Sequence, residues 1–546
     1  MNITIFWICV ITIIGFVLRF IGLDKDGGLW NDEYISWFIA SAPTFKSFIN
    51  GILSQCHMPI YYIYLKLVML FGGNNDLVLR FSSIIPAVVS IPIMYMVGKE
   101  KTKLTGIMCA LFTALSSFLI YYSQEVRFYT LLFLFSALSL YFTIRMLKKP
   151  NKKNLIGLIV SNFLIIFTHT IGFVYVFFDV IFICYYLRKL YKKAVNNISI
   201  FTAILFLISS PLIIKIFTTV SFSQWWAPFS FKRVIQLFSD YFTPVISKIL
   251  LLENIHSIDF NSIFLILPLI IVTLVFCATI FDKNIRRESK LGLIALATLS
   301  VLIIASISGK LVLESKYAIE IYPILIFLFC ATIDSCEKVW FKIAIFVIFF
   351  SFQIMYSISP YYAPFLPREE GNKYVAKLLN NAKLKDGDFI VLTYYPKDRF
   401  EKYFNFDKYN VTEIHKGNFN EYYSPAITYQ EAVKIGKREY QGAFINSIRP
   451  VNEFTGDTLI DEINDNIYFK VKKGQKVAFI FLDSVSFLDE NIFGAIVTDK
   501  KAYKQAPLLY LVFSNIRNEI IKTLPVNAKN IRYEVAGAWT LVSFEY

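Results

Sequence analysis

The sequence predicts an α-helical polytopic membrane protein that ends in a water-soluble α/β domain. Three observations predict it. Apolar residues, with Tyr counted among them, make up 56% of the 546 residues, and the mean hydropathy is +0.54. Charged residues are 17% of the chain, where a soluble domain carries about 25%. Long apolar stretches recur as far as residue 358 and then stop, at the proline-punctuated run SPYYAPFLPREEG.

A helix that crosses the hydrocarbon core needs about 20 apolar residues. Eleven stretches approach that length: 3–23, 79–98, 104–121, 128–146, 154–170, 172–187, 198–217, 261–281, 291–307, 317–334 and 340–358. The fifth and sixth are short and form one hairpin that turns near His169 and Gly172. The N-terminal MNITIFWICVITIIGFVLRF has no basic leader and no small-residue cleavage site, so it reads as a retained first span. This divides the chain into a transmembrane domain over 1–362 and a second domain over 363–546.

Charge then orients the spans. With the N-terminus in the cytoplasm, the inner loops are 99–103, 146–153, 188–197, 282–290 and 335–339. With the flanking Arg145 and Lys342 they hold 18 Lys and Arg. The outer segments 24–78, 122–127, 218–260 and 308–316 are longer in total and hold fewer, as the positive-inside rule requires. An odd number of spans puts the C-terminal domain outside the cytoplasm, at the outer face of an inner membrane. The net charge of +15 lies mainly in these short loops, which argues against nucleic acid as a partner.

The first outer loop contains two amphipathic runs, DEYISWFIA (32–40) and PIYYIYLKLVMLF (59–71), which read as helices along the membrane surface. Trp225 and Trp226, in the 218–260 loop, suit either interfacial anchors or a lipid or acceptor contact. Beyond residue 363, EEGNKYVAKLLNNAK has a helical pattern, and DFIVLTYY, KVAFIFLD and LLYLVFS read as buried strands. NIRNEIIKTL reads as a helix and NIRYEVAGAWTLVSFEY as a hairpin. This domain has no phosphate-binding glycine loop and no nucleophile elbow, and its role is open between acceptor docking and structural support. None of the seven cysteines follows Cys336, and no disulfide framework or zinc pattern is present. No cofactor and no bound metal are expected.

Charges in or beside spans are costly and ask for a reason. Asp32 and Glu33 in LWNDEYISW could simply start a surface helix. His57 in HMPIYY could be an ordinary loop residue. Glu125 and Arg127 in YYSQEVRFY could be a paired interfacial turn. His169 lies at a hairpin tip, and Lys316 in GKLVLESKY could extend to the headgroups. The predicted topology nevertheless gathers all of them at the outer face. A carboxylate there can take the proton from an attacking hydroxyl, and cations can offset charge growing on a departing phosphate. That set fits sugar transfer from a lipid-linked phosphate.

The order of these motifs is Asp32-Glu33 after the first span, H-x-P-x-Y-Y from His57 to Tyr62, and S-Q-E-x-R-F-Y from Ser123 to Tyr129. Thr168-His169 and Lys316-Tyr317 follow. The order and spacing over residues 1–360 resemble the bacterial members of glycosyltransferase family 39, the dolichyl-phosphate-mannose protein mannosyltransferases. The lipid A aminoarabinose transferases share this plan, and all have the GT-C fold. The resemblance implies Asp32 as catalytic base, with Glu33 completing the pair and Glu125 as a second acidic residue of the site. It implies donor or acceptor contacts for His57, Tyr61, Arg127, His169, Lys316 and Tyr317. The partners it implies are a polyprenyl-phosphate sugar donor, membrane lipid, and a glycan, lipid or protein acceptor, with inversion at the anomeric carbon. Two departures stand out. His57-Met58-Pro59 replaces the usual His-Pro-Pro. Lys316-Tyr317 replaces Arg-Tyr, which keeps the charge but loses the guanidinium fork. A lipid-linked sugar transporter or flippase is the alternative, and it would be expected to hold its polar residues near the midplane. A membrane scaffold without catalysis leaves the clustered carboxylates unexplained.

Overall fold

The structure is a computed structural model. It describes residues 3–24, 27–54, 58–189, 191–219, 231–243, 270–277, 289–308, 313–358, 371–392, 397–413, 467–482, 524–525, 528–536 and 539–546. The chain divides into two compact units. One holds Met1–Leu23 and most of the chain from Ile35 to Leu366. The other takes in Asp24–Tyr34 and Pro367–Tyr546.

The first unit is helical. In chain order it contains α1 (Ile3–Phe20), the later part of α2 (Asn31–Ser41), α3 (Phe45–Ser54), α4 (Pro59–Gly72), α5 (Asp76–Lys99), α6 (Lys103–Leu115), α7 (Ser117–Ser123) and α8 (Tyr129–Lys148). It continues with α9 (Lys152–Ile166), α10 (Gly172–Leu187), α11 (Lys192–Thr219), α12 (Phe231–Phe242) and α13 (Gly292–Ile307). A 3-10 turn (Ser315–Ile321) then leads into α14 (Tyr322–Ser335), and α15 (Val339–Ile358) follows. Helices occupy the described part of every predicted stretch; of 261–281 only 270–277 lies among the described residues, and it is helical. By length and composition, five segments among the described residues can cross a membrane: α1, α5, α8, α11 to Ile214, and the 3-10 turn with α14. The α6–α7 pair, bent by 52°, makes a sixth if it is one span. The protein is a multi-pass membrane protein.

Small residues let the helices pack closely. A Cβ on Gly98 of α5 would come within 2.6 Å of the Thr105 carbonyl oxygen, and one on Gly106 of α6 within 2.9 Å of Tyr95. These two glycines therefore bring the α5 and α6 backbones into contact, as is common between membrane helices. Ile11, Ile91, Tyr95, Ala110 and Ala114 fill the seam of α1, α5 and α6.

Polar contacts sort the loops into two sets. Glu100 pairs with Arg145 at 3.3 Å and Lys148 at 3.1 Å. Asp334 accepts from Thr105 at 2.8 Å and pairs with Lys342 at 3.4 Å. Glu100 and Lys148 belong to loops read as cytoplasmic, Arg145 and Lys342 flank such loops, and Thr105 and Asp334 lie at the adjoining ends of spans. At the other ends of the helices, Gln124 donates to the Ile21 carbonyl at 2.8 Å, and the Ile60 N–H donates to Phe167 at 2.9 Å.

The two amphipathic runs of the first loop form α2 and α4, and α3 lies between them in sequence. Lys66 of α4 donates to the Ala40 and Ala42 carbonyls at 2.9 Å each, which satisfies the open end of α2. Its ammonium also lies 5.1 Å from the centre of the Phe48 ring in α3.

The second unit contains α16 (Lys373–Asn381) and strands β1 (Phe389–Leu392), β2 (Asn410–Glu413), β3 (Lys476–Leu482), β4 (Lys529–Ala536) and β5 (Trp539–Glu545). The sheet order is β2-β1-β3-β5-β4. β1 runs parallel to β2 and β3, and β5 runs antiparallel to β3 and β4. Alternate residues of β1, β3 and β5 fill two cores. Phe389, Val391, Val477, Phe479 and Phe544 face one side. Ile390, Leu392, Ala478, Ile480 and Leu541 face the other, against Val375, Leu378 and Leu379 of α16. Burial on both faces explains why these strands read as unbroken apolar runs. The terminal hairpin is formed by β4 and β5. β2 had no distinct signal in the sequence. LLYLVFS and most of NIRNEIIKTL lie outside the described residues.

Candidate active site

Within the helical unit, the chain from α7 to α8 carries Glu125 and Arg127. Both are buried, at 2% and 4% exposure. Their backbone is held from α5. The Ser83 hydroxyl donates to the carbonyls of Glu125 and Arg127, the latter at 3.2 Å, and Thr130 donates to the Ser83 carbonyl at 2.8 Å. The Arg127 guanidinium donates to the Ser36 hydroxyl at 3.2 Å. It also lies over the rings of Phe128 and Tyr129, at 5.5 and 6.0 Å.

From there a run of aromatic rings leads to the other predicted residues. Tyr61 of α4 meets Phe128 edge-on at 6.4 Å. Phe128 stacks on the His169 imidazole at 4.6 Å. His169 in turn is nearly parallel to the Tyr317 ring, at 6.1 Å and 9°. Tyr317 lies beneath the Lys316 ammonium, 5.2 Å from its ring centre. The helical unit thus brings Tyr61, Glu125, Arg127, His169, Lys316 and Tyr317 together. His57 lies outside the described residues, as do Trp225 and Trp226.

Beyond Lys316 the cluster includes partners that the sequence reading missed. Glu314 accepts from Lys316 at 3.0 Å and pairs with Arg233 of α12 at 3.9 Å. Two cations flank the Glu314 carboxylate, and the Asp240 carboxylate also acts on Arg233. All three side chains are about four-fifths covered. Burial lowers the pKa of Arg233, while Glu314 and Asp240 act to raise it. Asp240 also accepts from the Ser315 hydroxyl at 2.5 Å, and the Tyr241 hydroxyl donates to the Ser315 carbonyl at 2.8 Å. These contacts hold the 3-10 turn that presents Lys316. The signal for Arg233 was present in FKRVIQLFSDYF, whose apolar residues recur at helical spacing. Asp179 of α10 was also missed, although a carboxylate inside a span is conspicuous. It is buried and accepts from Thr143 at 2.8 Å and Asn162 at 3.3 Å.

Asp32 and Glu33 belong to the second unit. The Trp30 N–H donates to the Glu33 carboxylate at 3.2 Å, in the reciprocal half of a capping box at the start of α2. Glu33 is 1% exposed and Asp32 half-buried. Upstream, Gly27 and Leu29 pair with the start of α16. Asn372 N–H donates to the Leu29 carbonyl and Lys373 N–H to the Gly27 carbonyl, both at 3.0 Å. Leu29 N–H donates to the Tyr403 hydroxyl at 2.8 Å. The Tyr34 hydroxyl donates to the Asp398 carbonyl, and the Arg399 guanidinium lies 5.4 Å from the Tyr34 ring centre. Burial, followed by the Asp398 carboxylate, raises the Tyr34 pKa well above the ordinary tyrosine value, so it remains a donor. Among the described residues, no three His, Cys, Asp or Glu side chains gather where they could hold a metal ion.

Residues 56–215 match the family model described as dolichyl-phosphate-mannose-protein mannosyltransferase. The chain resembles that family. The matched stretch contains Tyr61, Glu125, Arg127 and His169, and leaves Asp32, Glu33, Lys316 and Tyr317 outside it. In structure the chain is similar to ArnT from Cupriavidus metallidurans bound to undecaprenyl phosphate. The TM-score is 0.51 and the identity 10%, with 98% of each chain covered. For the same protein in the apo state the TM-score is 0.50 and the identity 10%, with 98% of this chain and 97% of that one covered. At such identity the likeness is one of fold. No curated protein matches the chain in sequence.

Proposed function

We propose that the protein is a membrane glycosyltransferase that moves a sugar from a polyprenyl-phosphate donor to a hydroxyl-bearing acceptor, at the outer face of the cytoplasmic membrane. The observation that carries this reading is the row of rings and cations from Tyr61 through His169 to Lys316, set in a GT-C fold. Aromatic faces suit a sugar ring, and Lys and Arg side chains suit a phosphate. The similar ArnT structure holds undecaprenyl phosphate, which supports a polyprenyl phosphate as the carrier here.

In the proposed reaction the Asp32 carboxylate takes the proton of the acceptor hydroxyl. That oxygen attacks the anomeric carbon, and the bond from this carbon to the phosphate oxygen breaks. The polyprenyl phosphate leaves with the electron pair, and the anomeric centre inverts. Lys316, Arg233 and Arg127 offset the charge that grows on the leaving oxygen. Glu33 and Glu125 complete the acidic set, and His57 and Tyr317 contribute to substrate binding. The C-terminal domain is extracytoplasmic in this reading.

The test is reconstitution of the purified protein in vesicles with undecaprenyl-phosphate-linked mannose, arabinose and hexosamine. Consumption of one donor with release of undecaprenyl phosphate is expected, and it should stop in Asp32→Asn. One observation favours a second reading. Asp179, with Thr143 and Asn162, is a buried polar group inside the spans, as a transporter of lipid-linked sugars would require. Intact donor appearing in the opposite leaflet would support transport over transfer.

A further inference from the structure

The segment that carries Asp32 and Glu33 is covalently part of the first loop, yet four of its hydrogen bonds are made to residues more than 300 positions away. Four features hold it there. The 27–29 backbone pairs with 371–373 through two N–H to carbonyl bonds of 3.0 Å. The approach is so close that a Cβ on Gly371 would lie 2.0 Å from the Gly27 carbonyl oxygen. Gly28 has a φ of +68°, and a Cβ there would meet the Tyr403 hydroxyl at 2.8 Å. Leu29 is completely buried, and its N–H is satisfied by that same hydroxyl. Past the carboxylates, Tyr34 is tied to Asp398 and Arg399. Asp32 and Glu33 therefore lie between two anchor points, Leu29 and Tyr34, both on the C-terminal unit.

We infer that the C-terminal unit is the frame that positions the Asp32–Glu33 pair, with Tyr403 as a positioning residue for the proposed base. This rests on the reading of Asp32 as base, and it gives the domain a part in the reaction that its own sequence does not reveal. Tyr403 acts through the backbone of the segment. It satisfies a buried backbone N–H, and so fixes the segment that leads into the first turn of α2, where the carboxylates lie. Loss of its hydroxyl frees that segment while leaving the ring that packs against the α16 core.

The experiment compares full-length wild type, Tyr403→Phe, Arg399→Gln, Asp32→Asn and the Asp32→Asn/Tyr403→Phe double variant. Hydrogen exchange is followed in peptides covering residues 27–34, and transfer is followed with the member of the undecaprenyl-phosphate sugar panel that wild type consumes. Tyr403→Phe should speed exchange in 27–34 and lower kcat about tenfold or more, because small misplacements of a reacting group are costly. The apparent donor KM should stay within about twofold. In the Asp32→Asn background, Tyr403→Phe should lower transfer no further. Should Tyr403→Phe fail to fold, Arg399→Gln carries the same expectation through Tyr34. Unchanged exchange, or faster exchange with wild-type kcat, overturns the inference. Full turnover in Asp32→Asn, or no donor consumed at all, overturns the functional reading instead, and exchange then still decides whether Tyr403 holds the segment.

Discussion

The His169 imidazole and the Tyr317 ring lie nearly parallel, 9° apart, with centres separated by 6.1 Å. One comes from the turn between α9 and α10, the other from the 3-10 turn before α14. His169 also stacks on Phe128, so one buried imidazole joins the S-Q-E-x-R-F-Y and Lys316-Tyr317 motifs.

Replacing His169 by Ala removes both ring contacts and opens a void. Each aromatic pair contributes about 0.5–1.5 kcal/mol beyond its buried area, so His169→Ala should lose about 2 kcal/mol or more. His169→Phe should retain most of the stability. Thermal unfolding in detergent measures both. If the imidazole contacts substrate, His169→Phe should still lose transfer activity despite its stable fold.

Lys316 tests the phosphate assignment. A charge-assisted hydrogen bond contributes about 1.5–3 kcal/mol, so Lys316→Ala should raise the apparent donor KM about ten- to hundredfold. Lys316→Arg should keep most of the affinity, because charge at this position is what matters. An unchanged donor KM in Lys316→Ala would count against a phosphate contact.

The Asp-Glu pair should divide by role. Asp32→Asn should fold normally and lose transfer by about 10²–10⁴-fold, the range for a general base. Glu33→Ala removes the acceptor for the Trp30 N–H and should cost about 1 kcal/mol through the start of α2. Unfolding and turnover measured on the same preparations separate the two effects. Equal loss of stability in both variants would show that Asp32, too, is structural.

Gly98 is a test of helix packing. Gly98→Val places side-chain atoms where the Thr105 carbonyl and the Gly106 backbone lie within 2.8 Å. Overpacking of this kind typically costs about 1–3 kcal/mol. The melting temperature should fall, with no specific change in donor KM.

Orientation can be read by labelling single cysteines in a cysteine-free background. Glu125, at 2% exposure, is a poor reporter. Phe45, at 80%, and Lys338, which is exposed, are better. Cysteine at 45 should react from outside and cysteine at 338 from the cytoplasm. The reverse pattern would invert the proposed topology and move the site to the other face.

Much of the fold was legible because apolar length and periodicity report burial directly. The amphipathic runs at 32–40 and 59–71 became α2 and α4, and the run FIVL became a central strand of the sheet. In the site, Glu125 and Arg127 were conspicuous as charges bracketed by tyrosines beside a span. Arg233 was passed over, because its helix lies in a loop where charge is unremarkable. Glu314 was visible in its motif, but its bond to Arg233 depends on two segments far apart in the chain.

By itself the sequence determined where the helices and strands form and which polar residues needed an explanation, because lipid and core both select for apolar side chains. Tertiary structure decided what those residues touch. It set His169 against both Phe128 and Tyr317, and it gave Lys316 and Arg233 a shared carboxylate. It also joined Asp24–Tyr34 to the C-terminal unit rather than to the helices around it in sequence. That last choice is made by backbone N–H and carbonyl groups of Gly27, Leu29, Asn372 and Lys373. Every residue but proline carries the same pair of groups, so nothing in the order of side chains announces the pairing.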